Sequence, residues 1–222
     1  MIKGVIFDAD GVLFDSMPFW KNIGKIYLKT KGIEAEEDLN QKLETFSMEE
    51  GADYLVKRYA LSITSKEVLK EINGILKEYY RNMIPLKEGI REYLQRIEKK
   101  KIPMAVATSG DRALTELALQ RCSVDQYFYG IFTCTDAGKS KRFPDVYDLA
   151  MNRITEDTKR EEILVFEDAY HALCTVKQAG FQTIAVYDRE NDKDWEKIKE
   201  IADQTIEKYQ DFDQTWKRVM KK

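Results

Sequence analysis

Histidine is almost absent from this chain. Its 222 residues contain one, His171, so mechanisms that need paired histidines are excluded. Cysteine is scarce as well: Cys122, Cys134 and Cys174 are odd in number and show neither C-x-x-C nor C-x-x-H spacing. Free thiols are therefore expected, rather than a disulfide framework or a zinc site. No apolar run approaches the roughly 18 residues of a membrane span. The start also lacks the apolar stretch of about 7–15 residues and the small-residue cleavage site of a secretory signal, because the short apolar run after Met1 is broken at Asp8. The expectation is a cytoplasmic protein with no membrane partner. An excess of positive charge is missing too: 36 Lys and Arg stand against 39 Asp and Glu, a formal net charge of −3. Nucleic-acid binders are normally basic overall or carry a basic stripe, so nucleic acid is not an expected partner. Whatever chemistry operates here must run mostly on carboxylates.

What is present is a core-forming share of 43% hydrophobic residues, together with 34% charged residues. The length suits one large domain, or one domain carrying an insertion. Only four prolines occur, and Pro18 and Pro85 bracket a segment whose pattern is helical throughout. Phe19, Trp20, Ile23, Ile26 and Tyr27 recur at helix spacing, as do Val68, Leu69, Ile72, Ile75, Leu76 and Tyr79. Ser47-Met48-Glu49-Glu50 and Thr64-Ser65-Lys66-Glu67 read as capping boxes, in which a hydroxyl takes an orphan N–H and a glutamate reaches back. Outside this window, short apolar runs at 4–7, 104–107, 129–133, 163–166 and 183–186 alternate with amphipathic helix patterns. Strands apolar on both faces and separated by helices predict a parallel sheet covered on each side. The tail from Trp195 predicts a surface helix, a short edge strand near Thr205-Ile206 and a last helix. The fold class is thus α/β: a doubly wound, Rossmann-like parallel sheet built from 1–15 and 84–222, with a small all-helical domain, 16–83, inserted after the first strand.

In open parallel sheets, ligands bind beyond the carboxyl ends of the strands. The polar residues expected there are Asp8 and Asp10 after the first strand, Thr108-Ser109-Gly110 after the second, and Glu167-Asp168 after the run at 163–166. Lys141 lies in a loop ahead of the helix that begins near Pro144-Asp145. An acid at a strand end is most often a cap or turn residue. Four acids, a hydroxyl and a lysine converging on one sheet edge are not explained that way. Carboxylates so placed repel one another and call for a cation, and oxygen-only ligands with room for water suit Mg2+. Carboxylate, metal, hydroxyl and ammonium together indicate phosphoryl transfer, with a carboxylate as nucleophile.

These residues carry a resemblance. Asp8-Ala9-Asp10-Gly11-Val12-Leu13-Phe14-Asp15-Ser16 resembles the D-x-D-G-x-L-x-D-[ST] signature of the haloacid dehalogenase superfamily. Thr108 closing an apolar strand resembles its second motif, and Lys141-Arg142-Phe143-Pro144-Asp145-Val146-Tyr147 resembles K-P-x-P-D-[IV]-[YF]. Val165-Phe166-Glu167-Asp168-Ala169, followed by Ala179-Gly180-Phe181, resembles the fourth motif. The helical insertion falls where the β-phosphoglucomutase-like phosphatase branch carries its cap. The resemblance implies Asp8 as nucleophile and metal ligand, and Asp10 as general acid/base with its backbone carbonyl on the metal. It implies Thr108, Ser109 and Lys141 as phosphate-binding residues, and Asp168 as a further Mg2+ ligand with Glu167 beside it, directly or through water. Arg142 and Phe143 depart from the usual Pro and small residue, Ala172 stands where Gly is common, and Lys139 offers a second ammonium two residues before Lys141.

The implied activity is a Mg2+-dependent phosphatase acting on a small phosphorylated metabolite through an aspartyl-phosphate, in a monomer or weak homodimer. Ser16, Trp20, Thr45, Phe46 and Ser47 are candidate substrate residues of the cap. The alternative is a β-phosphoglucomutase-type phosphosugar mutase. Such enzymes typically have a His at the position of Trp20 and a basic residue near Phe46, and both are missing here. A more distant alternative is a receiver-like phospho-acceptor domain, but those are single domains of roughly 120 residues without a helical insertion.

Overall fold

The strand signals become β1 (Gly4–Phe7), β2 (Met104–Thr108), β3 (Phe128–Thr133), β4 (Ile163–Glu167) and β5 (Gln182–Val186), and the edge segment becomes β6 (Gln204–Ile206). They are seen in a computed structural model that describes residues 1–219 apart from Thr45. All neighbouring strands pair in parallel, in the order β3-β2-β1-β4-β5-β6. The chain winds outward from β1 to β3, then returns to the other side of β1 and winds outward again. The order therefore reverses between β1 and β4, and the crevice of an open α/β sheet lies beyond the carboxyl ends of the strands at such a switch point.

Four helices, α1 (Met17–Thr30), α2 (Leu39–Leu43), α3 (Met48–Arg58) and α4 (Ser65–Asn82), follow β1. The others are α5 (Ile90–Glu98), α6 (Arg112–Arg121), α7 (Cys134–Ala137), α8 (Asp145–Ile154), α9 (Tyr170–Ala179), α10 (Trp195–Ile201) and α11 (Phe212–Val219). By contacts the chain divides into two compact units, one of Met1–Asp15 with Ile84–Lys222 and one of Ser16–Met83.

In the α/β unit, β1, β2 and β4 are buried along their whole lengths because helices cover both faces of the sheet. Side chains alternate between those faces. Ile6, Ala105, Ala107 and Val165 pack on one side against Val146, Tyr147 and Ala150 of α8 and Val176 of α9. On the other side Phe7 stacks on Phe166 with ring centroids 4.4 Å apart, and Tyr93 of α5 meets Phe166 edge-on at 5.7 Å. Each such buried side chain contributes about 1.5–3 kcal/mol, and truncating Phe166 to Ala would cost roughly 3–5 kcal/mol.

The chain leaves β1 through a tight turn. Leu13 and Phe14 both donate their N–H groups to the Ala9 carbonyl at 2.9 Å, and Gly11 donates back to Phe14 at 2.9 Å. This closure puts Gly11 at φ 78°, a left-handed conformation that costs other residues roughly 1–2 kcal/mol.

In the helical unit both capping boxes form, at Ser47/Glu50 and Thr64/Glu67. Phe19 of α1 stacks on Tyr79 of α4 with centroids 3.5 Å apart, and the Tyr27 hydroxyl donates to Glu71 at 2.9 Å. No helix among the described residues is long and apolar enough to cross a membrane.

Candidate active site

Beyond the carboxyl ends of β1 and β4, three acids come together. Asp8, Glu167 and Asp168 are buried, and each offers one oxygen within 4.8 Å of those of the other two. Parallel pairing fixes this placement: Phe7 is in register with Phe166, and the Asp8 N–H donates to the Phe166 carbonyl at 3.0 Å. Lys141, only 4% exposed, reaches in from the loop before α8. Its Nζ donates to Glu167 Oε1 at 2.5 Å and forms an ion pair with Asp8 Oδ1 at 2.5 Å. Tyr147, on the first turns of α8, donates its hydroxyl to the same Glu167 Oε1 at 2.6 Å. Asn191, in the turn after β5, donates its amide to Asp168 Oδ2 at 2.7 Å.

The charge balance is incomplete. Burial raises the Asp8 carboxyl to about 7, and the Glu167 charge pushes the same way against the pull of Lys141. Asp168 is raised well above the usual carboxylate range, by burial first and then by Asp8 and Glu167. Burial opposes the charge on Lys141, but Asp8 and Glu167 outweigh it and hold the ammonium protonated. Glu167 Oε2 is buried and receives no hydrogen bond from the described residues. A buried carboxylate oxygen without a donor is costly unless something cationic faces it. Three carboxylates against one ammonium, all-oxygen donors and an orphaned oxygen fit a hard divalent cation.

Asp10 is half-buried. A Cβ placed on Gly110 would lie 3.4 Å from Asp10 Oδ2 and 3.2 Å from Thr108 Oγ1, so the Thr108–Gly110 turn runs close beside the Asp10 carboxylate. The Gly110 N–H donates to Thr108 Oγ1 at 2.9 Å. Because that oxygen acts as acceptor there, the hydroxyl proton remains available to a further acceptor.

The other sequence-predicted residues sit elsewhere. Ser109 is exposed, and its hydroxyl lies 3.4 Å from Cys134 Sγ. Lys139 pairs with Asp145 at 2.9 Å and lies over the Phe143 ring at 5.3 Å, so Lys141 is the lysine among the acids. Ser16 is buried at the start of α1. Trp20 donates its indole N–H to Tyr80 at 2.8 Å, and Phe46, 41% exposed, tilts against Tyr54 at 5.8 Å. Ser47 caps α3, and Thr45 lies outside the described residues. Sequence reasoning placed Gly110 at the sheet edge without a role, held Tyr147 only as a motif position, and missed Asn191. The Tyr in the motif around Lys141 was the one available signal for Tyr147, whereas Asn191 stands in a charged stretch with no pattern around it.

A family model described as haloacid dehalogenase-like hydrolase matches residues 5–186. The chain is 26% identical over 183 residues to a phosphorylated carbohydrates phosphatase of Thermotoga maritima, a match covering 82% of this chain and 84% of that protein. It is 25% identical over 197 residues to a beta-phosphoglucomutase of Bacillus subtilis, covering 83% of each. Among solved structures, one from Thermotoga maritima provisionally named a beta-phosphoglucomutase superposes with a TM-score of 0.85 at 24% identity, over 98% of this chain and 100% of that one. A Bacillus subtilis structure bound to magnesium superposes with a TM-score of 0.77 at 16% identity, over 97% and 99% of the two chains. At those identities the two structures speak for the fold.

Proposed function

The chain belongs to the haloacid dehalogenase-like hydrolases, and from that premise we propose that it is a Mg2+-dependent phosphatase of a small phosphorylated metabolite, working through an aspartyl-phosphate. The observation that carries this reading is the buried set of Asp8, Glu167 and Asp168 at the switch point, with Lys141 between two of them and Glu167 Oε2 left without a donor among the described residues. Asp8, Glu167 and Asp168 would hold the metal, together with the Asp10 backbone carbonyl. Bound there, magnesium supplies positive charge that ionises the acids and neutralises the phosphoryl oxygens.

The rest is the work of the side chains. Lys141 and Thr108 orient the phosphoryl group, one by charge and one by its free hydroxyl proton, with Ser109 as a further candidate. An Asp8 carboxylate oxygen attacks phosphorus, and as that P–O bond forms the ester P–O bond breaks. Asp10 gives its proton to the departing oxygen. It then takes a proton from the water that attacks the aspartyl-phosphate, which releases inorganic phosphate and restores Asp8. Choice of substrate is assigned to the helical unit Ser16–Met83, with Ser16, Trp20 and Phe46 as candidates. The Thermotoga relative is named for phosphorylated carbohydrates, and a sugar phosphate is the substrate class we propose.

The Bacillus mutase relative supports a second reading, in which the phosphoryl group returns to a sugar hydroxyl before water reaches it. Trp20, whose N–H is held by Tyr80, stands where mutases of this branch typically have a His, which favours the hydrolase. The test is a screen of phosphorylated metabolites with free-phosphate readout, including glucose 1-phosphate with a bisphosphate primer. Stoichiometric phosphate is expected. Glucose 6-phosphate without phosphate release would replace the hydrolase by the mutase, and no turnover of any phosphate ester would end both.

A further inference from the structure

The fold treats the two oxygens of Glu167 differently. Oε1 accepts from Lys141 at 2.5 Å and from the Tyr147 hydroxyl at 2.6 Å, whereas Oε2 is buried with no donor among the described residues. Its neighbour Asp168 shows the same asymmetry. Asn191 Nδ2 donates to Asp168 Oδ2 at 2.7 Å and to its backbone carbonyl at 3.3 Å, while Oδ1 receives no hydrogen bond among the described residues. The two donors come from different elements, Tyr147 from α8 and Asn191 from the turn at Arg189–Asp194 after β5.

We infer that Tyr147 and Asn191 are positioning residues for the metal centre, each capturing one oxygen of an adjacent acid and leaving the other turned to the cation. This rests on the cation reading of the Asp8–Glu167–Asp168 cluster. A glutamate side chain has three rotors, and a neutral phenol fixes it without adding a charge that would compete with the cation. Without the phenol, Oε1 keeps only Lys141, which it shares with Asp8, and the carboxylate is free to turn. Lys141 cannot replace Tyr147 here, because its one ammonium already bridges two acids. The Tyr147 ring has its own packing, with Phe181 at 6.2 Å and Lys141 Nζ at 5.7 Å from its centroid. A Phe at this position keeps those contacts and removes only the donor. Asn191 does by its amide what Tyr147 does by its hydroxyl, and a donor of either kind orients a ligand without touching the metal.

The test compares wild type with Tyr147→Phe and Asn191→Ala in the full chain, with Mn2+ as the probe followed by electron paramagnetic resonance and Mg2+ measured by its competition. Each variant should bind Mn2+ about ten-fold more weakly or worse. At saturating Mg2+ their kcat should recover, and KM for an aryl phosphate should stay at the wild-type value, which a general loss of structure would not produce. Asn191 is half-exposed in a short turn, so its variant decides the matter if Tyr147→Phe fails to fold. Wild-type Mn2+ affinity in the variants overturns this inference alone. A wild-type chain that takes up no Mn2+ or Mg2+ overturns it together with the metal reading on which it stands.

Discussion

Replacing Lys141 by Met removes the ammonium that lies against Asp8 and Glu167 while keeping most of the stem's volume. Lys141 is 4% exposed and lies 2.5 Å from both Asp8 and Glu167, so solvent cannot take over its role. Breaking a buried pair by deleting one partner costs about 3–5 kcal/mol. For a chain of this length each kcal/mol moves Tm by roughly 2–4 °C, so the variant should melt roughly 10 °C lower in EDTA at pH 8. The loss should depend on pH with a definite sign. Asp8 is raised in the folded chain from 3.8 to about 7, so between those values the folded state holds a proton that the unfolded state has released. Stability from this group therefore falls as pH rises through that window. Lys141 is one of the groups that lowers Asp8, and its removal raises the carboxyl further and extends the fall above pH 7. At pH 5 Asp8 is protonated in the folded variant, and less charge is left uncompensated. Thermal unfolding in EDTA at pH 5 and pH 8 should thus give a difference from wild type that is smaller at the lower pH, by up to about 1.4 kcal/mol from Asp8. An equal loss at both values, or a larger one in acid, would refute the electrostatic account of the cluster.

Asp8→Asn should abolish hydrolysis of an aryl phosphate with the thermal transition retained, and residual turnover would remove the covalent mechanism. Asp10→Asn should slow formation and breakdown of the aspartyl-phosphate by about 10²–10⁴-fold, measured in single-turnover and steady-state assays. Gly110→Ala should lower kcat/KM by up to roughly ten-fold, because a Cβ there sits 3.2 Å from Thr108 Oγ1, which must give by a few tenths of an ångström, and 3.4 Å from Asp10 Oδ2; unchanged kinetics would mean that the turn lies outside the reacting geometry. The Tm gain on adding Mg2+ should be greater at pH 8 than at pH 5, since protons and the metal compete for Asp8, and a gain independent of pH would place the cation elsewhere.

What was legible in the sequence, and what was not, divides along the range of the interactions involved. Capping boxes at Ser47 and Thr64 are local, and apolar runs flanked by helix patterns specify strands buried on both faces; both could be read without neighbours. The acids were legible for a related reason. A strand end is a sequence position, and a parallel sheet brings strand ends to one edge whatever the intervening chain does. Orientation within that edge is another matter. Ser109 and Gly110 are adjacent, yet Ser109 has its hydroxyl near Cys134 while Gly110 runs beside Asp10, a consequence of how β2 meets β3. Lys139 and Lys141 are two residues apart, and which ammonium becomes buried depends on the path of the loop into α8 and on Asp145 holding Lys139 at the surface. Asn191 is furthest from reach, because a donor to a carboxylate oxygen needs only the right height above the sheet. Many segments can supply that height, so the sequence around such a donor need carry no pattern. Motif positions therefore mark the sheet edge that carries the candidate site, while a group such as Asn191 reaches that edge only through packing between elements.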